Sequence, residues 1–275
     1  MKRFNHVFGG RGNLMHTPFF ESLFNTGVTG QMPRLGFTLA EVLITLGIVG
    51  VVAALTIPNL ISNYKKLVVE TQLKKTYTIL NQVVKRSEAD NGSALNWDWK
   101  NTYNGKDADA FFDKYFAPYL NLNGKKSSFG NGRYFDIYAN NSQVTSWSYN
   151  NGNNAQWRLL SDGSAVMFDL TARDNVFLGG FNVVLPASVK KKRLVMGRDV
   201  FLFTINYLSD KSAVTVFPQS WGNWNCKNVS DNKLQFNQRC NGDNNSGDGI
   251  AAATYCSVIL YCNGWKVPDD YPIRF

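Results

Sequence analysis

From Phe37 to Ile57 the chain runs for 21 residues with a single charge, Glu41. At a rise of about 1.5 Å per residue, such a helix spans about 30 Å, the thickness of a bilayer's hydrocarbon core. The run therefore reads as a membrane anchor over 37–58. A carboxylate within a membrane helix costs on the order of 2.5–3.5 kcal/mol at the midplane, so it calls for a partner and a purpose. Glu41 stands one turn into the run, where the positive end of a helix dipole favours an anion.

Pro58 lacks an amide hydrogen and its ring clashes with the carbonyl of Ala54, which predicts a kink or local melting near 54–58. Beyond it the pattern becomes amphipathic. Leu60, Tyr64, Leu67 and Thr71 form one stripe; Val69, Leu73, Tyr77, Leu80 and Val84 form another. Lys65, Lys66, Lys74, Lys75, Lys85 and Arg86 lie between them. This predicts one long helix over 37–89, whose second half, 59–90, packs on a globular domain at 91–275. Asn91-Gly92 ends it. Gly50 and Ala54 are spaced to allow close contact between membrane helices, a spacing that also arises by chance.

Downstream, Asp107 can cap a helix at 108–121, with Phe111, Phe112, Tyr115, Phe116, Tyr119 and Leu120 on one face and Pro118 disturbing its end. That face reads as core. From Arg133 the period changes to two. Candidate strands are 133–139, 144–149, 156–160, 164–170, 181–185, 200–206 and 213–217, with a hairpin turn at Asp162-Gly163. A long helix followed by antiparallel strands predicts an α+β fold, the helix laid on the sheet.

The chain has two histidines, His6 and His16, and none follows the anchor. That removes Ser-His-Asp and Cys-His catalysis and most zinc sites from the domain. No pair of carboxylates stands out as glycosidase-like. No catalytic residue, metal or cofactor is assigned, and the domain is not read as an enzyme. The formal charge of +9 falls to +6 without the first 36 residues, which hold four basic and one acidic residue. Lys190-Lys191-Lys192-Arg193 is the one basic cluster and reads as a solvated loop, so nucleic acid is not an expected partner.

Cys226, Cys240, Cys256 and Cys262 all lie in the last fifty residues. An even, clustered set beyond a membrane anchor reads as a disulfide framework in an oxidising compartment. Local pairing, Cys226–Cys240 with Cys256–Cys262, is one expectation and a crossed pattern another.

The stretch Gly36-Phe37-Thr38-Leu39-Ala40-Glu41-Val42-Leu43 resembles the leader site of type IV prepilins and type II secretion pseudopilins. Pro58, 22 residues past Gly36, is in register with a helix-kinking proline common in that family. The resemblance implies cleavage after Gly36 by a prepilin peptidase, methylation of Phe37, and assembly through Glu41. In stacked copies, Glu41 of one subunit can face the Phe37 amine of its neighbour, and two charges costly alone offset each other. Residues 1–36 become a leader, with Met15 or Met32 as alternative starts. Gly197-Arg198-Asp199-Val200-Phe201-Leu202-Phe203 resembles a segment of pseudopilin-like domains. The residues before it depart from that pattern, and Asp243–Asp248 lacks a full calcium-loop pattern, so no metal follows. Gly264-Trp265-Lys266-Val267-Pro268-Asp269-Asp270-Tyr271-Pro272 is similar to the tail of prepilin-like proteins and reads as an extended segment on the domain surface.

Function follows as an expectation. The chain would be a structural subunit of a secretion pseudopilus or type IV pilus. It would be minor rather than major, since 239 residues follow Gly36. It would sit as a single-pass inner-membrane protein with its domain in the periplasm or outside. Its partners would be the peptidase, other pilin or pseudopilin subunits, the inner-membrane assembly platform and a secreted protein substrate. The alternative is a pilus-tip binding module, an adhesin or DNA-uptake pilin, on the same anchor.

Overall fold

The computed structural model describes residues 36–99, 105–123, 136–139, 157–173, 177–191, 193–207, 212–218, 225–241 and 255–275. Residues 1–35 of the expected leader, the candidate strand at 144–149 and residues 243–248 lie outside them. The chain divides into two compact units, Met1–Ala53 and Ala54–Phe275.

Helix α1, Leu39–Asn91, is one α-helix of 53 residues. In the first unit every residue from Gly36 to Val52 is exposed. The helical backbone passes Pro58 without melting. A proline deletes one backbone bond, and in a helix this long propagation resumes on either side of the loss. Gly92, with φ +77°, turns the chain out of the helix where the sequence places the stop.

In the second unit α1 buries Val69, Leu73, Leu80, Val83, Val84 and Ser87. Of the two stripes in the sequence, this is the second, with Val69, Leu73, Leu80 and Val84. It packs on a five-stranded antiparallel sheet in the order β2–β3–β4–β6–β7. The strands are β2 (Arg158–Leu159), β3 (Ala165–Arg173), β4 (Phe177–Val184), β6 (Val200–Tyr207) and β7 (Val214–Pro218). Six of the seven candidate strands fall wholly or partly in the described residues and five of them contribute to this sheet; the sixth contains β1 (Asp136–Tyr138). β1 pairs in parallel with β5 (Arg193–Val195), a strand the sequence pattern does not announce. At three residues it is too short to show a period.

Alternation sorts the sheet into two faces. Val166, Phe168, Phe181, Val183, Phe201, Phe203, Ile205 and Val216 join α1 in the main core. Ala165, Met167, Val184, Val200 and Leu202 pack with Ile137, Leu194 and Met196 from the small parallel pair. Helix α2 (Gly105–Tyr115) and a 3-10 turn at Ala117–Tyr119 form where one helix is expected, and Pro118 lies in that turn. Its aromatic face is core: Trp97 stacks on Tyr115 at 4.5 Å, and Phe116 meets Phe168 and Phe181 at 5.0 Å. Asn81 of α1 seals strand β7. Its Oδ1 accepts from Val216 N–H at 3.2 Å and Thr215 Oγ1 at 3.0 Å, which covers a bare sheet edge.

Asp199, 1% exposed, sits in the turn between β5 and β6. Its carboxylate accepts from Ser188 Oγ (2.7 Å), Lys191 Nζ (2.6 Å), Val195 N–H (2.8 Å) and Arg198 Nη2 (3.0 Å). Burial alone pushes its pKa up; Lys191, Ser188, Val195 and Arg198 together outweigh that and hold it below the usual carboxylate range. Beside it Gly197, with φ +82°, has no room for a side chain, since a Cβ would run into Cys256 Sγ.

The cysteine region is helical: α3 (Cys226–Asp231), α4 (Lys233–Asn241) and α5 (Cys256–Cys262). The disulfides are Cys226–Cys262 and Cys240–Cys256, so both the local and the crossed pairing are corrected to a nested one. Cys256 and Cys262 bound one helix and lie about 9 Å apart along its axis, beyond disulfide reach. The end of α4 meets the start of α5, and the start of α3 meets its end, with Cα separations of 4.7 and 5.1 Å.

The tail is built into the domain rather than laid over it. Trp265, Tyr271 and Ile273 are buried. Tyr271 OH donates to Gly197 O at 2.7 Å, and burial pushes its phenol well above the ordinary value. Glu70 of α1 accepts from Val267 N–H at 2.9 Å and pairs with Lys266 at 3.0 Å.

Asp199→Asn leaves Lys191 and Arg198 facing a neutral amide and should destabilise the domain by about 3 kcal/mol, as for a broken buried pair. Because the folded carboxyl titrates below its unfolded value, this contribution is full above the ordinary carboxylate range, near pH 4, and disappears as pH falls through the lower folded value. Denaturant melts should thus separate the variant from the parent at pH 7 and bring them together at strongly acid pH. Non-reducing peptide mapping should recover Cys226 joined to Cys262; a Cys226–Cys240 peptide would contradict the helical packing.

Candidate functional site

Of the residues singled out for processing and assembly, Gly36, Phe37 and Glu41 lie at or just before the start of α1, in the first unit, and Pro58 lies inside α1 in the second. Thr38 precedes the helix and Glu41 lies in its first turn. Thr38 N–H and Thr38 Oγ1 donate to Glu41 Oε2 at 2.9 and 3.0 Å, and Glu41 N–H donates to Thr38 Oγ1 at 3.2 Å. This reciprocal arrangement is a capping box, which satisfies amide groups that a helix start leaves bare. Thr38 was missed as a partner for Glu41, though Thr-x-x-Glu before an apolar run is its signature. One carboxylate oxygen serves the cap. The other, Oε1, takes no hydrogen bond from the described residues, so the carboxylate keeps an acceptor for a further donor.

Gly36 and Phe37 precede the cap, and Phe37 is 85% exposed. A Cβ placed at Gly47 or Gly50 would meet nothing within 4 Å, so both present open backbone to an approaching helix.

The apolar face of α1 is left bare. Leu43, Leu46, Val49 and Leu55 are more than half exposed in the run, and so are Leu60, Tyr64 and Leu67 beyond it. Of the two amphipathic stripes, the second is taken up by the sheet and this first one is not. Among the described residues α1 is the one helix long and apolar enough to cross a membrane.

Among the described residues no three His, Cys, Asp or Glu side chains gather as a metal site would require. All four cysteines are in disulfides. What the chain offers is therefore a capped, apolar helix on a cross-linked domain.

Residues 59–275 match a family model described as a family of unknown function (DUF6613). The chain belongs to that family. No curated protein and no solved structure matches it. The family span opens at Asn59, one residue past Pro58, and takes in the amphipathic half of α1 together with the whole sheet and cysteine region.

Thr38→Ala removes both hydroxyl bonds of the cap but leaves the carboxylate charge. Amide exchange at residues 39–42 should quicken severalfold in that variant. Glu41→Gln, which can still accept, should change it less.

Proposed function

We propose that the chain is a structural subunit of a type IV filament system, a type II secretion pseudopilin or type IV pilin, made as an inner-membrane precursor and assembled through α1. The observation that carries this reading is the length of the bare apolar face. A bilayer needs about 20 residues, and the run from Phe37 to Ile57 supplies them. Leu60, Tyr64 and Leu67 continue the exposure past that limit, at 68, 66 and 53%. Exposed apolar surface outside the lipid is a mark of an interface, and a helix-on-helix contact is what a stripe at this spacing fits.

The cap supports the same reading. A Glu41 with one oxygen bound locally and one open can pair with a neighbouring amine without unravelling its own helix. Two disulfides support a domain on the oxidising side of the membrane. Release of Phe37 by a prepilin peptidase would place a free amine one turn from Glu41. Methylation keeps that amine basic, so the pairing survives the modification.

The test is the intact mass of the full chain extracted from membranes, expressed with and without a prepilin peptidase. The expected product begins at Phe37, carries one methyl group and depends on the peptidase. An unprocessed chain, or a cut at another bond, would remove the filament reading.

A further inference from the structure

The two disulfides of the cysteine region have unlike surroundings. Cys240 and Cys256 are 0 and 1% exposed. Cys256 Sγ lies so close to Gly197 that a Cβ on that glycine would run into it. Cys226 is exposed and Cys262 half-buried. In thiol–disulfide exchange a thiolate must meet one sulfur from outside while the other leaves, so access helps decide which bond reacts. By access, the inner bond is closed to a protein thiol and the outer one is open.

The helices that these bonds fasten differ in the same sense. Helix α4 is held to the domain by more than its disulfide. Phe236 is buried and meets Tyr255 at 5.5 Å. Arg239 Nη1 donates to Tyr255 OH at 2.6 Å, Asn237 Nδ2 donates to Asp270 O at 3.2 Å, and Lys233 pairs with Asp270 at 2.9 Å. Helix α3 has nothing comparable. It packs on α4 and α5 through one buried residue, Val229, and its other five residues are exposed. The flanking Asn225 and Asn232 side chains bond to its own backbone. Among the described residues no side-chain hydrogen bond or ion pair joins α3 to another element. Lys227, next to Cys226, has no ion-pair partner among them either. A cation at that place favours the thiolates on which exchange depends.

We infer that Cys226–Cys262 is a thiol–disulfide exchange site for a dithiol oxidoreductase, that α3 is the element it fastens, and that Cys240–Cys256 takes no part. A thiolate of the partner attacks Cys226 Sγ. The bond to Cys262 Sγ breaks, and Cys262 leaves as a thiolate that solvent protonates. The partner's second thiolate then attacks the partner's own sulfur in the mixed disulfide. That step forms the partner's disulfide and releases Cys226, which takes a proton in turn. The chain gains two electrons and two protons, and the dithiol loses them. Run backwards, with the partner's disulfide as oxidant, the same steps close the bond. Opening frees α3 and leaves α4 in place. The site is one that filament assembly does not use, and it stands independently of that reading.

The experiment takes the oxidised, detergent-solubilised full chain and adds dithiothreitol or a reduced thioredoxin-fold protein, with timed quenching by N-ethylmaleimide and peptide mapping. Cys226 and Cys262 should be labelled about tenfold faster than Cys240 and Cys256. A thioredoxin-fold protein lacking its second cysteine should be trapped as a mixed disulfide on Cys226. Once the outer bond is open, amide exchange over 227–231 should quicken about tenfold, while that over 234–240 changes less than about twofold. Opening of both bonds at one rate, or of the inner bond first, overturns the inference. So does trapping on any other cysteine. Unchanged exchange over 227–231 means that the bond fastens nothing, and loss of protection across α4 as well means that it supports the whole region; either result overturns the inference.

Discussion

The domain is organised around one buried carboxylate. Asp199 is where strand β5, the 3-10 turn at Pro186–Ser188 and the start of β6 are tied together, through five donors from four residues. Its main chain is used as well: Asp199 N–H donates to Val195 O at 2.8 Å, and its carbonyl accepts from Leu185 N–H at 3.0 Å. A lone buried charge is destabilising; one that saturates its oxygens with cations and an amide fixes the geometry of everything it touches. Gly197 next to it leaves space for the Cys240–Cys256 disulfide on one side and for the Tyr271 hydroxyl on its carbonyl. The sheet, the cysteine helices and the tail thus meet at a single turn.

Helix α1 serves two environments with one backbone. Its domain-facing stripe is conventional core, with Leu73 fully buried and Leu80, Val83 and Val84 nearly so. The apolar side chains of its other stripe, and most of those in the run before Pro58, are exposed. A helix alone in water seldom persists without packing. The Thr38–Glu41 cap secures the start of the helix, and burying the exposed apolar surface would remove the cost of its hydration.

Much of this was legible in the chain. The long apolar helix, the amphipathic pattern of its second half, the stop at Gly92 and the Asp162-Gly163 turn each follow from a period or a residue type with a local mechanism. Asp199 was quoted only as part of a recurring segment, because a buried carboxylate looks like any surface aspartate until its donors, drawn from positions 188, 191, 195 and 198, are brought round it. The nested disulfides were unreadable for the same reason: spacing along the chain says nothing of helices that turn back on themselves. The tail was misjudged because its two prolines suggested a surface path, while Trp265, Tyr271 and Ile273, the residues that bury, are apolar at no regular spacing. For the candidate site, Glu41 was conspicuous and its hydroxyl partner was passed over.

The tail's attachment has a consequence for timing. Glu70 waits for Val267 and Lys266, which follow it by nearly two hundred positions, and the Gly197 turn waits for Tyr271. Cys226 likewise waits for Cys262. A chain is made from its amino end, so residues 262–273 are the last of these partners to exist. The contacts that close the base of α1, the Gly197 turn and the Cys226–Cys262 loop therefore all form after the rest of the domain has been synthesised.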